Sequence, residues 1–218
     1  MRRIVEKSIV AGLLSVLASL AISIPASALH FTQSEKLRRA EAKTKDALNK
    51  LADAYEALRI QSRSDGLTGV LTRSAFMEEL RITSQRGGVG ALLFLDLDHF
   101  KSINDRYGHA TGDEALRCAG LVLARHQSEA GFAGRLGGEE FGLFQSDLTI
   151  EQMRGRCEEV REEIARIVLK TPCGTQVRIS TSIGACYCDW GFDPSDRLKA
   201  ADENLYRAKA LGRDRIIA

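Results

Sequence analysis

Neither sign of charge prevails in this chain of 218 residues: 31 Lys and Arg face 29 Asp and Glu, a formal net charge of +2. Nucleic-acid binders usually carry a marked basic excess, so no nucleic-acid partner is expected. Hydrophobic residues make up 44% and charged residues 28%, ordinary globular proportions that exclude a wholly disordered or collagen-like chain. There is a single long apolar run, too few for a multi-span membrane protein. The five cysteines, Cys118, Cys157, Cys173, Cys186 and Cys188, are an odd number and not a disulfide framework. Cys186-x-Cys188 is not a zinc spacing, so these thiols read as small buried hydrophobes in a reducing compartment. His30, His99, His109 and His126 are too irregularly spaced for a zinc site. No Gly-x-x-x-x-Gly-Lys-Ser/Thr stretch occurs, which excludes a P-loop protein, and no Ser or Cys nucleophile elbow occurs either.

What is present is unevenly laid out. Residues 8–29 (SIVAGLLSVLASLAISIPASAL) contain no charge at all, and about 20 apolar residues suffice to cross a bilayer as a helix. Residues 1–30 are therefore expected to be a transmembrane anchor. A cleaved signal peptide is the alternative, on Arg2, Arg3, Pro25 and Ala26-Ser27-Ala28, and a buried core helix is a third reading. The C-terminal flank (Lys36, Arg38, Arg39, Lys43, Lys45) outnumbers Arg2, Arg3 and Lys7, which favours a cytoplasmic C-terminal side.

Residues 31–64 have no Gly or Pro and are helix-prone. Leu37, Thr44, Leu51 and Leu58 recur every seven residues, with Leu48 and Tyr55 three before the last two. This suits either a solvated helical spacer or a parallel dimerising helix. The segment is too short to bury a core of its own.

From residue 65 onward the periodicity alternates. Helices are expected over 73–82, 100–107, 113–126 and 149–169, the last with a Thr149/Gln152 capping box, and a final helix opens at Asp193-Pro194 and ends at Gly212. Strands are expected over 90–95, a continuous apolar run, and over 132–136, 141–145, 176–186 and 215–217. Gly137-Gly138 between two of them signals a hairpin whose turn needs positive φ. The pattern predicts an α/β sheet with an antiparallel part.

Chemistry concentrates in a few places. Asp96 and Asp98 follow the apolar strand two apart and so face one side, at the carboxyl end where open α/β sheets bind ligands. Glu139 and Glu140 are adjacent acids at the hairpin mouth, which repel each other without a cation. Such acids suit Mg²⁺, held by one or two carboxylates plus substrate phosphates. Ordinary solvated loop acids are the competing reading. Lys101, Lys209 and Arg213 offer positive charge, and Lys209 and Arg213, four apart, share a helix face. Compensation of the helix dipole would also account for the latter pair.

Together these blocks resemble the GGDEF family, the diguanylate cyclases, in its GGEEF form. The resemblance rests on Leu136-Gly137-Gly138-Glu139-Glu140-Phe141, preceded by Asp65-Gly66-Leu67-Thr68-Gly69, Asp96-Leu97-Asp98-His99-Phe100-Lys101-Ser102-Ile103-Asn104-Asp105, Tyr107-Gly108-His109 and Gly112-Asp113. It continues through Ser182-Ile183-Gly184, Ala201-Asp202, Tyr206-Arg207-Ala208-Lys209 and Gly212-Arg213-Asp214, covering residues 65–218. It implies a palm-like fold, related to nucleotide cyclases and polymerases, with a mixed sheet flanked by helices.

The implied reaction is condensation of two GTP into cyclic di-GMP with release of pyrophosphate. The resemblance assigns Asp96, the Leu97 carbonyl and Glu139 to the metal, which would be Mg²⁺ or alternatively Mn²⁺, and Glu140 to support of the metals or the attacking hydroxyl. It assigns Asn104 and Asp113 to guanine, Lys101, Lys209 and Arg213 to the phosphates, and Gly137 and Gly138 to close approach of the nucleotide. Because each domain binds one GTP, it implies a homodimer. Because GTP is cytoplasmic, it implies a single-pass inner-membrane protein with the catalytic domain in the cytoplasm. A catalytically silent GGDEF domain that binds GTP or docks a protein is the alternative. Ser128-Glu129-Ala130-Gly131 stands where many members carry an inhibitory Arg-x-x-Asp, so feedback through that site is not expected. Thr72 also replaces an Asn common in the opening motif.

Overall fold

In a computed structural model, the strand from Gly90 to Leu97 (β2) is buried along its whole length, because its alternate side chains feed two separate cores. The structure describes residues 38, 43–50, 63–127, 129–171 and 173–218. The chain forms two compact units, residues 1–59 and 60–218. In the first, residues 43–50 are helical and exposed, with a Lys50 Nζ–Asp46 Oδ2 pair at 2.8 Å. The apolar run 8–29 and most of the heptad positions lie outside the described residues. Among the described residues no helix is long and apolar enough to cross a membrane.

The second unit is built on a mixed six-stranded sheet. Its strands are Leu71–Thr72 (β1), β2, Phe132–Arg135 (β3), Glu140–Ser146 (β4), Thr181–Cys188 (β7) and Ile216–Ile217 (β8), in the order β1-β3-β4-β2-β7-β8. β2 pairs antiparallel with β4 on one side and β7 on the other, while β1 joins β3 and β8 joins β7 in parallel. Five helices cover the sheet: Arg73–Gln85 (α1), Phe100–Tyr107 (α2), His109–Arg125 (α3), Ile150–Ala165 (α4) and Pro194–Ala210 (α5). Two short strands, Val168–Lys170 (β5) and Gln176–Arg178 (β6), form a separate hairpin.

Side-chain alternation on β2 sorts the layers. Ala91, Leu93, Leu95 and Leu97 pack with Phe100 and Ile103 of α2, Leu116 and Leu123 of α3, and Val160 and Ile164 of α4. Leu92 and Phe94 pack on the other face with Phe76 and Leu80 of α1 and Ala201 and Leu205 of α5. The period-2 rule then places Asp96 on the α5 face. α5 approaches that face closely at Gly184: a Cβ there would lie 2.8 Å from the carbonyl carbon of Asn204, and nearer still to Ala201 O and Leu205 N. Asn204 Nδ2 also donates to Ala185 O at 2.9 Å, which pins helix to strand.

The α/β expectation with an antiparallel part holds, and the capping box at Thr149 and Gln152 is formed. Several boundaries differ. Helix α3 begins at His109, not Asp113, because Gly108 alone, at φ 83°, makes the break. Helix α4 stops at Ala165 and the chain turns into β5, whose exposed–buried–exposed alternation overlapped the helical apolar pattern. The expected strand 176–186 divides into β6 and β7, and β1 was not foreseen. Of the cysteines only Cys157 and Cys188 are buried; Cys173 is exposed next to the β5–β6 turn.

Candidate active site

The two acids after the apolar stretch of β2 do different work. Asp96 pairs across the sheet with Glu140 of β4 and Ser182 of β7. Its side chain is only 10% exposed and meets Lys209 Nζ, from the last turn of α5, at 2.8 Å. Burial pushes the Asp96 carboxyl above the usual carboxylate range; the Lys209 ammonium opposes the shift, and the charges of Glu139 and Glu140 add to it. Thr181 Oγ1 donates to Asp96 O at 2.9 Å and holds the main chain at this point. Asp98 faces the same way, as the spacing predicts, but its carboxylate accepts from Ser180 Oγ (2.8 Å), Ser182 Oγ (2.7 Å) and Asp214 N (3.0 Å). Asp98 is thus taken up by hydrogen bonds to β7 and to the turn after α5.

The signature turn is closed by Leu136 N donating to Glu140 O at 2.8 Å. Leu97 N donates to Glu139 O at 3.3 Å, which ties that turn to the end of β2. Neither Gly137 nor Gly138 has positive φ, contrary to the primed-turn expectation. A Cβ on Gly137 would fall against Glu140 Oε2, the free end of that side chain, whereas one on Gly138 would face open space. Arg135, not anticipated from the sequence, braces the turn. Its Nη2 and Nε donate to Gly138 O at 2.7 and 3.1 Å, and its Nη1 reaches Asp65 Oδ1 at 3.3 Å. Its position immediately before the Leu136-to-Phe141 block was the available signal.

Asn104 of α2 is brought against α3 at Gly112, the residue before Asp113. The Asn104 side chain lies over Gly112, where a Cβ would meet Asn104 Cγ at 2.9 Å; Gly112 is buried in α3 next to the half-buried Asp113. Lys101 is exposed and lines an open depression with His99, Ser102, Asp105 and Arg106. Arg213 is exposed in the turn beyond α5 at φ 63°. It therefore does not share a helix face with Lys209, because the helix ends at Ala210 and Gly212 reverses the chain. The structure thus gathers Asp96, Glu139, Glu140 and Lys209 at one end of the sheet, and sets Asn104 of α2 against Gly112 of α3, next in sequence to Asp113.

A divalent cation fits this donor chemistry. Among the described residues no three or more His, Cys, Asp and Glu side chains form a metal cage, but Mg²⁺ held partly by substrate phosphates needs only one or two protein carboxylates. A carboxylate raised first by burial and further by two neighbouring glutamates is a setting that hard positive charge relieves.

Comparison with known proteins accords with this geometry. Residues 62–215 match the family described as diguanylate cyclase, GGDEF domain. The chain is 32% identical over 168 residues to the uncharacterized protein YhcK of Bacillus subtilis (strain 168), covering 74% of this chain and 47% of that protein. It is 32% identical over 165 residues to the diguanylate cyclase DosC of Escherichia coli (strain K12), covering 74% and 36%. The chain thus spans less than half the length of these relatives. Among solved structures, the coiled coil and GGDEF domain of DgcB from Caulobacter crescentus, in complex with c-di-GMP, superposes with a TM-score of 0.69 at 30% identity. That match covers 84% of this chain and 98% of that one.

Proposed function

The chain belongs to the GGDEF diguanylate cyclase family, and from that premise we propose that it condenses two GTP into cyclic di-GMP with release of pyrophosphate. One observation carries the reading: a buried carboxylate, Asp96, stands at the end of the central strand between two glutamates and a lysine ammonium 2.8 Å away. Phosphoryl transfer asks a protein mainly for positioning and charge stabilisation, and this cluster offers acids for a cation beside bases for phosphate.

Roles follow from placement. Asp96 and Glu139, with the Leu97 carbonyl, would hold Mg²⁺, or Mn²⁺ in its stead, which would supply positive charge against the phosphate oxygens. Glu140, opposite Asp96 in the ladder, supports the same region and accepts the proton of the attacking 3′-hydroxyl. Lys209, held by Asp96, and Arg213 neutralise the triphosphate, with Lys101 contributing from α2. Asp113 accepts from guanine N1–H and N2–H₂ while Asn104 bonds the same edge; adenine lacks that donor pair, and each unpaired polar group left behind costs about 1–3 kcal/mol.

The product joins two nucleotides, each held by one domain, so the working unit is a homodimer with two sites face to face. The helical segment within 31–64 is suited to bring the domains together, and the run 8–29 to anchor the protein in the inner membrane with the catalytic domain in the cytoplasm, where GTP is available. The experiment incubates the full-length chain with GTP and Mg²⁺ and measures cyclic di-GMP. Glu140→Ala should fold and bind GTP yet form no product. GTP binding without product in the parent protein would favour a silent nucleotide-binding domain.

A further inference from the structure

The turn that carries Arg213 is held in an unfavourable backbone. Gly212, Arg213 and Asp214 have φ of 116°, 63° and 43°, so two successive non-glycine residues sit in the left-handed region. Such residues persist only where the surroundings over-determine them. The helix end supplies part of the restraint: Arg213 N donates to Ala208 O at 3.1 Å and Gly212 N to Lys209 O at 3.4 Å, the pair of bonds that closes a helix on a left-handed glycine. That motif explains Gly212 and does not explain the two residues after it.

Two side chains from other elements hold those residues. Asp98, 4% exposed at the end of β2, accepts from Asp214 N at 3.0 Å and also from Ser180 Oγ and Ser182 Oγ. Arg161 of α4, its side chain 17% exposed, donates Nη1 to Asp214 Oδ1 at 2.6 Å and is itself fixed by Glu158. Asp214 is therefore gripped by main chain from one side and by side chain from the other.

We propose that Asp98 and Arg161 are positioning residues for phosphate recognition: together they lock the turn after α5 and so fix where Arg213 presents its guanidinium. Neither touches substrate. The inference rests on the reading of Arg213 as a triphosphate ligand. Asp98, although two residues from Asp96, is then a strut and not a second metal ligand.

The test compares the affinities of the full-length chain for GTP and GMP, measured calorimetrically with Glu140→Ala as the background to suppress turnover. Arg213→Ala should lower the GTP-to-GMP affinity ratio by roughly tenfold, and Arg161→Ala by a similar factor, within the range of coupling between residues that share a network. Adding Arg161→Ala to Arg213→Ala should lower the ratio no further, and Arg161→Lys should recover part of the loss. Asp98→Asn should act in the same direction. Should it fail to fold, the Arg161 variants decide alone, since Arg161 lies on α4. A lowered ratio in Arg213→Ala with an unchanged one in Arg161→Ala, or additive effects of the two, overturns the clamp alone. An unchanged ratio in Arg213→Ala overturns the phosphate reading and the clamp with it.

Discussion

Gly184→Ala tests how tightly the site depends on packing beneath it. The residue lies in the middle of β7, and its missing side chain is where α5 rests on the sheet. A Cβ would lie 2.8 Å from the Asn204 carbonyl carbon, with Ala201 O and Leu205 N closer again. All three are backbone atoms, so no rotamer change relieves the clash and α5 must move by on the order of 1 Å to restore ordinary separations. Forcing one extra carbon into a packed core costs about 1–3 kcal/mol, and the rigidity of the neighbours puts this case near the top of that range. Loss of unfolded-state freedom offsets about 0.4–1 kcal/mol. The net of about 2 kcal/mol lowers Tm by about 4–8 °C in a domain of this size. Lys209 rides on the last turn of α5, 2.8 Å from Asp96, and a misplacement of about 1 Å can cost up to a hundredfold in rate. Thermal unfolding followed by circular dichroism, with cyclic di-GMP formation from GTP, measures both. Gly155→Ala is the control: a Cβ there meets nothing within 4 Å, and alanine inside a helix should add about 0.5–1 kcal/mol. A Gly184→Ala protein with parental Tm and parental turnover would refute the argument.

Three further outcomes follow from the site. Because burial and the neighbouring glutamates raise the Asp96 pKa, its contribution to stability is present at acid pH and lost as the pH rises through the raised value. Asp96→Asn should therefore abolish turnover measured with Mg²⁺ yet, in metal-free buffer, raise Tm at neutral pH by a few degrees, with the gain vanishing in acid; a clear fall in metal-free Tm at neutral pH would contradict this. Asp113→Asn replaces one of the two oxygens that accept from guanine with a donor amide facing a guanine N–H, and should weaken GTP binding by about tenfold or more while ATP binding changes little, read from the ratio of the two dissociation constants. Burial raises the pKa of Asp65, but hydrogen bonds from Thr68 and the Arg135 charge outweigh it and leave the group below the usual range. Its stabilising effect is present above the unfolded value and lost as the pH falls through the lowered one. Asp65→Asn should destabilise by about 1–2 kcal/mol at neutral pH, and the difference from the parent should narrow below about pH 4, visible in denaturant titrations across pH.

What was legible in the sequence is what is local. The uninterrupted apolar run Gly90-to-Leu95 announced a doubly covered strand, and Thr149 with Gln152 announced a helix start, because each feature is decided by residues within one turn or one strand. Asp96, Glu139 and Glu140 were legible because the signature and the central strand are short contiguous blocks. Long-range pairing was not. β5 and β6 form only against each other, so Val168 and Leu169 read as a continuation of α4. The geometry of the signature turn was not legible either: neither Gly137 nor Gly138 takes the positive φ that a primed turn needs. Asp98 resembled a metal ligand until Ser180, Ser182 and Asp214 N were seen around it, and Arg161 gave no sign at all, because its partner lies far along the chain.

The arrangement also explains why the fold tolerates a cluster that works against its own stability. Asp96 is buried, raised by its neighbours and only partly compensated by Lys209. An isolated strand end would yield by fraying, which would let water reach the carboxylate. β2 cannot fray cheaply. It is paired through Asp96 on both sides, with β4 and with β7, and its alternate residues are buried in two cores. Asp98 and Thr181 then fasten the residues just beyond and beside the charge. The restraint that keeps Asp96 buried is thus supplied by strand pairing, packing, the Thr181 hydroxyl and an Asp98 carboxylate that is itself satisfied by two serine hydroxyls. Lys209 and Arg213 come from a different element, so their charge can be positioned by the packing of α5 and by the turn after it. Separating the acidic and basic halves of the site onto strand ends and helix end lets each be held by its own local structure.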